Sequence, residues 1–388
     1  MDFQLNPDQR ALQDAARRFA QNELPELARE LERTNEPVPK AWLRRYAEQG
    51  FLGVNLPVEL GGLGLSNLDA MIVLEEFAKI SVAVAFPVFE SVSGPIHGIA
   101  ELGEPALAKP LCNAVCQGES VVAVSMSEPN AGTALTDLTT RGRIEGDEIV
   151  LNGQKRWCSG GGHADGYFVY CRLSEDRGAK GIGAVYVEGD RDGLSFGPPE
   201  ELMGFRGVPS ADIFLDDVRV PRDHLIVPAG GFRQLMEVFD LERCGNATMS
   251  VGLGAAALDQ ALAYVQERQQ FGKPIADFQA VQLRLAEMAM QVEAARLLVW
   301  RALAGSGGGH QLPSLADTSL AKCFANEMVR DVCGQTVQIM GGYGYHKEYE
   351  AERRFRDSWG WGIAGGTIDI QKVNIASSLI GRRFNQRS

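Results

Sequence analysis

The chain has 388 residues, 45% apolar and 23% charged, an ordinary balance for a globular protein and more than one hydrophobic core usually serves. Its net charge of −12 excludes the basic face a nucleic-acid binder needs, though not a local basic pocket for an anionic ligand. No apolar run approaches the ~20 residues that span a bilayer, and the opening "MDFQLNPDQRALQDAARRFAQNELPEL" lacks the charged-then-apolar plan of a signal peptide.

Residues 1–120 read as helices. The run Asp69 to Lys79, "DAMIVLEEFAK", places Met71, Leu74, Phe77 and Ala78 on one stripe. "ELGGLGLS" (Glu59 to Ser66) has no strand before it and no lysine after it, so it reads as a connecting loop and not a phosphate cradle. Over residues 121–230 the apolar period shortens to two. "GRIEGDEIVLNGQKRWC" carries Gly146-Asp147 and Asn152-Gly153, both hairpin signals, and "GIGAVYVEG" and "SADIFLDDVRVP" continue the alternation. A β domain of short strands, sandwich or barrel, is expected there.

Over residues 231–388 the helical period returns. Val281, Leu285, Met288, Val292, Ala295 and Val299 form one stripe, and Ile368 to Phe384 forms a last helix. "GSGGGHQLP" (Gly305 to Pro313) reads as an inter-helix loop. Long amphipathic helices with short breaks predict a bundle. The fold class is therefore α+β and multidomain. The seven cysteines form no CxxC pair and have no histidines at zinc spacing, so reduced, buried thiols are expected, as in a cytoplasm, and no metal site.

Four strings could carry chemistry. In "VAVSMSEPNAGT" (Val122 to Thr133) small residues and a turn let backbone N–H groups and the hydroxyls of Ser127 and Thr133 approach a flat ring. "KRWCSGGG" offers the indole of Trp157. "ERQQFGKPIADFQAVQ" (Glu267 to Gln282) places Arg268 at a helix end, where its fork suits phosphate oxygens. "QIMGGYGYHKEYEAERRFRDSW" (Gln338 to Trp359) runs into "GIAGGTIDI", whose Thr367 and Asp369 open a helix.

These strings, in this order and over essentially the whole chain, resemble the acyl-CoA dehydrogenase flavoproteins. The resemblance implies an N-terminal α-helical domain, a middle β-barrel or sandwich, a C-terminal four-helix bundle, and FAD as cofactor. Val124, Met126, Ser127, Thr133, Trp157, Cys158 and Ser159 would face the flavin, with Cys and Ser standing where Ile and Thr are common. Arg268, Phe271, Phe278 and Gln279 would reach the pyrophosphate of a flavin held mainly by a neighbouring subunit. Gln338, Gly341 and Gly342 would meet its adenosine half, while Thr367 and Asp369 approach the flavin. A shared site implies a homo-oligomer, commonly a tetramer. Thr133, Phe239, Arg243, Ala364 and Gly366 would line the acyl-CoA.

Many family members read Tyr-Glu-Gly-Thr where this chain reads Ala364-Gly365-Gly366-Thr367, so the usual base is absent. The Gly365 N–H remains, because it belongs to the main chain, and would hydrogen-bond the thioester carbonyl. In the isovaleryl-CoA and long-chain branches the base comes from another helix, in a string like "FDLERCGNA", where Glu242 takes the matching position. The resemblance thus implies α,β-dehydrogenation with Glu242 as base, β-hydride transfer to flavin N5, and reoxidation by an electron-transfer flavoprotein.

Two alternatives keep the fold. "SEPNAGT", "SGGG" and "IAGGT" also resemble the sulfinopropionyl-CoA desulfinase branch, which eliminates without net oxidation; it lacks both carboxylates and uses an arginine after "EEMAK". The matching "EEFAKISVAVAFPVFES" has none. Enoyl-CoA reduction, as in crotonobetainyl-CoA reductase, remains open. A reading of another class is a flavin- or acyl-CoA-binding protein without turnover.

Overall fold

The computed structural model describes residues 4–304 and 311–384, so Gly305 to His310 of the expected inter-helix loop lie outside the described residues. The N-terminal part comprises α1 (Pro7–Glu23), α2 (Pro25–Thr34), α3 (Lys40–Glu48), α4 (Asn67–Ala78), α5 (Val82–Ser93), α6 (Pro95–Leu102) and α7 (Pro105–Cys116). The middle part holds β1 (Val122–Ser125), β2 (Arg141–Glu145), β3 (Glu148–Ser159), β4 (Gly166–Arg172), β5 (Ile182–Glu188), β6 (Leu194–Phe196), β7 (Ser210–Pro221) and β8 (Leu225–Val227). Helices α8 (Phe232–Glu267), α9 (Gln279–Ala304), α10 (Leu315–Met340), α11 (Glu350–Gly360) and α12 (Ile368–Ile380) follow, with a two-residue ladder, β9 (Gln269–Gln270) and β10 (Lys273–Pro274), after α8.

α4 starts on a capping box, Ser66 with Asp69. It is buried on every side, not along one stripe: Ile72, Val73, Glu75 and Glu76 are as hidden as Met71, Leu74, Phe77 and Ala78. The reason is its place between α1 and α8. The two buried carboxylates are tolerated because they are paired, Glu75 with Arg296 at 2.9 Å and Glu76 with Lys79 at 2.9 Å and Arg17 at 3.1 Å. The Glu59–Ser66 stretch is a loop, as expected, with Gly61 and Gly64 at positive φ.

One expectation fails in the next helices. Val82–Leu102, α5 and α6 together, is long and apolar enough by composition to cross a membrane, but 89% of its apolar window is buried inside the protein. Alternate polar residues were few because these helices are covered all round. At Gly245 of α8 a Cβ would sit 2.2 Å from Ser93 Oγ, so α8 and α5 meet at glycine distance. N- and C-terminal helices consequently share one continuous core.

The middle strands form one sheet of order β6-β7-β3-β2-β4-β5-β8, with β1 parallel to β4. β2 and β4 touch through the single pair Arg141 and Arg172, and there the sheet folds on itself. Ile149, Leu151, Ile213 and Val220 of one half share a core with Val169, Cys171, Val185 and Val187 of the other, a sandwich-like packing. The opposite face of β4 and β5 packs on α6 and α7.

Gly146-Asp147 is the β2–β3 hairpin turn. Asn152-Gly153 is not a turn. It lies inside β3 at a bulge against β7, where Asn152 Nδ2 donates to Asp217 Oδ1 at 2.9 Å and Asp217 N–H donates back to Asn152 Oδ1 at 2.9 Å. In the C-terminal part α10 packs against α8, α9, α11 and α12, so the expected four-helix bundle has a fifth member. α12 ends at Ile380, before the expected Phe384, because Gly381 adopts φ 75°.

Candidate active site

The turn between α11 and α12 is held by its carbonyls. Lys322 Nζ donates to Trp361 O at 2.9 Å, Asn246 Nδ2 to Trp361 O at 3.2 Å and to Ala364 O at 3.4 Å, and Arg243 Nε to Gly365 O at 3.3 Å. A trans peptide points its N–H opposite to its C=O. With the Ala364 and Gly365 carbonyls turned toward α8, the N–H groups of Gly365 and Gly366 turn away from it. Among the described residues the Gly365 N–H makes no hydrogen bond. Gly365 and Gly366 have φ 68° and 88°, which glycine adopts without penalty.

Beneath the turn lies a buried polar network. Lys322 Nζ also donates to Asn326 Oδ1 at 2.8 Å, and Asn326 Nδ2 donates to Asn246 Oδ1 at 2.9 Å and Ser250 Oγ at 2.8 Å. Burial, helped by the nearby Arg243 guanidinium, brings Lys322 down to about 7. A Cβ on Gly365 would lie 3.4 Å from Lys322 Cε, so the ammonium stem occupies the neighbourhood of the missing glutamate. Asn246, Lys322 and Asn326 escaped the sequence reading. Lys322 and Asn326 stand four apart, on one face of α10.

Glu242 and Asn246 are one turn apart and share a face of α8. Burial pushes the Glu242 carboxyl up to about 8, against the opposing pull of Arg243 and Lys322. Arg243 is buried, donates to Asp240 Oδ1 at 2.5 Å, and lies over the Phe239 ring at 5.0 Å. Burial likewise raises Asp240 to about 6, with Arg243 restraining the rise. Glu242, Phe239, Val124, Phe168, Tyr170 and Gly94 line one narrow crevice. A second carboxyl, Glu90 of α5, was also missed; burial and the facing Glu242 charge hold it well above the usual range.

The β-domain residues converge nearby, since Val124 lines the same crevice. Lys155 Nζ donates to Met126 O at 3.1 Å and Glu128 Oε1 at 2.9 Å, and Glu128 also accepts from Thr139 and Thr140, which pins the Met126–Thr133 loop. Burial would raise Glu128, but Lys155 and these donors bring it down to about 2. Ser127 is half-buried and Thr133 exposed. Trp157 is 52% exposed at φ 62°, with the Arg156 guanidinium 4.1 Å over its ring. The Cys158 thiol turns into the core and donates to Val124 O at 3.2 Å. Ser159 Oγ lies 3.5 Å from Ser210 Oγ.

The remaining residues lie elsewhere. Arg268 follows the end of α8, 26 residues beyond Glu242, or about 39 Å along a helix rising ~1.5 Å per residue. Its guanidinium lies over Tyr343 at 5.6 Å, Phe271 packs edge-on against Phe278, and Gln279, Gln338, Gly341 and Gly342 are exposed in the same region. Thr367 caps α12 and Asp369 is exposed in its first turn. These residues fit a flavin in two parts. An exposed indole and a pinned small-residue loop suit a ring, while Cβ atoms on Gly341 and Gly342 would meet nothing within 4 Å, leaving backbone open to a ligand.

Comparison with known proteins shows the family. The family models for the acyl-CoA dehydrogenase N-terminal, middle and C-terminal domains match residues 6–119, 123–218 and 229–380. The chain is 38% identical to the 3-sulfinopropanoyl-CoA desulfinase of Paraburkholderia xenovorans, over 99% of each. It is 36% identical to the CarC subunit of the caffeyl-CoA reductase-Etf complex of Acetobacterium woodii, over 94% of this chain and 96% of that one. It superposes on the butyryl-CoA dehydrogenase of Megasphaera elsdenii with a TM-score of 0.93 and 31% identity, covering 98% of this chain and 100% of that one. The chain belongs to the acyl-CoA dehydrogenase family of flavoprotein oxidoreductases.

Proposed function

We propose that this chain is an FAD-dependent dehydrogenase of an acyl-CoA thioester, with Glu242 as the base that removes the α-proton. The observation that carries this reading is a half-buried carboxyl, raised toward neutrality by its desolvated setting, close to a turn with an unengaged N–H. Gly365 N–H receives the thioester carbonyl and stabilises the negative charge that grows as the α-proton leaves. Glu242 accepts that proton. Arg243, already committed to Asp240 and Gly365, fixes the turn more than it binds substrate. Thr133, Phe239, Ala364 and Gly366 line the thioester. FAD, when bound, supplies the acceptor for the β-hydride.

The flavin ring belongs against Met126, Ser127, Trp157 and Ser159. Arg268, Phe271, Phe278, Gln279, Gln338, Gly341 and Gly342 serve the site of another copy, because they gather at the far end of α8, too far from Glu242 to serve their own. Phe271, 93% exposed, and the exposed Leu283 and Met290 of α9 support assembly, commonly a tetramer in this family. An electron-transfer flavoprotein takes the electrons, a partner supported by the relative that works in a reductase-Etf complex.

Desulfination is the second reading, favoured by the identity to the desulfinases. Against it, α5 holds no arginine and Glu242 is present. The test is anaerobic mixing of flavin-loaded protein with straight, branched and dicarboxylic acyl-CoAs, and with 3-sulfinopropanoyl-CoA. Bleaching of the flavin by one saturated class, lost in Glu242→Gln, supports dehydrogenation. Sulfite release without bleaching overturns it. Bleached protein that recovers its colour on mixing with an enoyl-CoA would assign the reductive direction.

A further inference from the structure

Glu90 is a carboxyl in this region that the proposed chemistry leaves unused and, unlike Asp240, has no cation beside it. It is 8% exposed, and its Oε2 is buried without a hydrogen-bond partner. Buried polar atoms are nearly always satisfied, so an orphan points to a missing ligand group. The side chain turns toward its own helix end: Oε2 lies 2.6 Å from where a Cβ on Gly94 would sit. Gly94 in turn lines the crevice that Glu242 shares. Of the described side chains, the one whose charge bears on Glu90 is Glu242, another acid, and no Lys or Arg offsets it.

Glu90 sits behind Gly94, and the walls of the crevice itself include three aromatic rings. Phe168, Tyr170 and Phe239 line it together with Val124, Leu235 and Glu242. Aromatic faces beside an unpaired carboxyl attract a cation and repel an anion. We propose that Glu90 is a specificity residue that reads the far end of the acyl group, favouring a thioester whose acyl chain carries an ammonium and rejecting one that ends in a carboxylate or sulfinate. This rests on the dehydrogenase reading, which sets the reacting carbons against Glu242 and so leaves the chain end to Glu90. A cation there would supply the missing partner and draw the carboxyl to its ionised form, whereas an anion would meet two acids with no cation to offset it.

The test compares γ-aminobutyryl-CoA, pentanoyl-CoA and glutaryl-CoA, which differ in the group at one end. Dissociation constants are measured by anaerobic titration calorimetry on the flavin-loaded protein and on Glu90→Gln, with flavin absorbance followed in parallel. The expected result is at least tenfold tighter binding of the ammonium thioester than of pentanoyl-CoA, with glutaryl-CoA weakest, and a ranking that collapses in Glu90→Gln. Equal binding of the first two ligands by the parent protein overturns the proposal, whether or not the variant folds. A preference that survives unchanged in Glu90→Gln also overturns it. Selective, Glu90-dependent binding without bleaching by any ligand keeps the assignment of Glu90 and sinks the dehydrogenase reading. Bleaching by pentanoyl-CoA without ammonium preference does the reverse.

Discussion

Arg243 Nε donates to Gly365 O at 3.3 Å, so the residue next to the proposed base holds the turn that carries the proposed carbonyl donor. Arg243→Met removes that clamp and strands Asp240, buried beside it. Breaking a buried pair costs about 3–5 kcal/mol, and a displacement of ~1 Å at the reacting atoms slows chemistry on the order of 10²-fold. Urea unfolding and the rate of flavin bleaching would each show their share. Unchanged bleaching would mean that the turn holds its position without Arg243.

Glu242 must be ionised to act as a base. Since burial holds it near about 8 in the free protein, bleaching at limiting substrate should climb as pH rises through that value. Glu242→Gln should lower the rate by roughly 10²–10⁴-fold, the usual worth of a positioned base. A flat pH profile, or a variant as fast as its parent, would move the base elsewhere.

The same carboxyl affects stability. Its folded-state value lies above its ordinary 4.5, so its contribution is complete below that value and is lost as pH rises through about 8. Glu90 is shifted in the same direction. Glu242→Gln and Glu90→Gln should therefore melt higher than the parent at pH 9, with the gap closing toward pH 4.5. Calorimetric scans across that range would settle the sign, and a gap that widens in acid would contradict it.

Gly365→Ala tests the backbone. A Cβ there meets Lys322 Cε at 3.4 Å, an ordinary contact, so the cost comes from φ 68°. Left-handed backbone costs a non-glycine residue about 1–2 kcal/mol. The variant should lose that much in urea unfolding and should bleach more slowly as the Gly365 N–H swings from its direction. A fully stable variant would show that the turn tolerates another conformation.

Much of this was legible in the residues. The order of helices, strands and helices showed in the switch of apolar period, and Glu242 was singled out because its string resembles one of the family's. The Asn152-Gly153 pair misled because turn chemistry serves a bulge as well as a hairpin, and what decides is the Asp217 partner 65 residues away. α4 and α5 hid their environment, since a helix covered on all sides by tertiary packing has no polar face to announce. Glu90 and Lys322 went unnoticed because a charge on a single helix carries no sign of what will cover it. Their burial exists only because α5, α8 and α10 come together.

The length of α8 has a consequence for how such a protein fails. In the proposed shared site, Glu242 of one copy works with Arg268 of another, because about 39 Å separate them along their own helix. A chain damaged at one position still carries the other part intact. Reassembled mixtures of Glu242→Gln and Arg268→Ala chains would therefore regain sites that neither pure population has. Loss of activity would follow how subunits pair, not how many chains are whole.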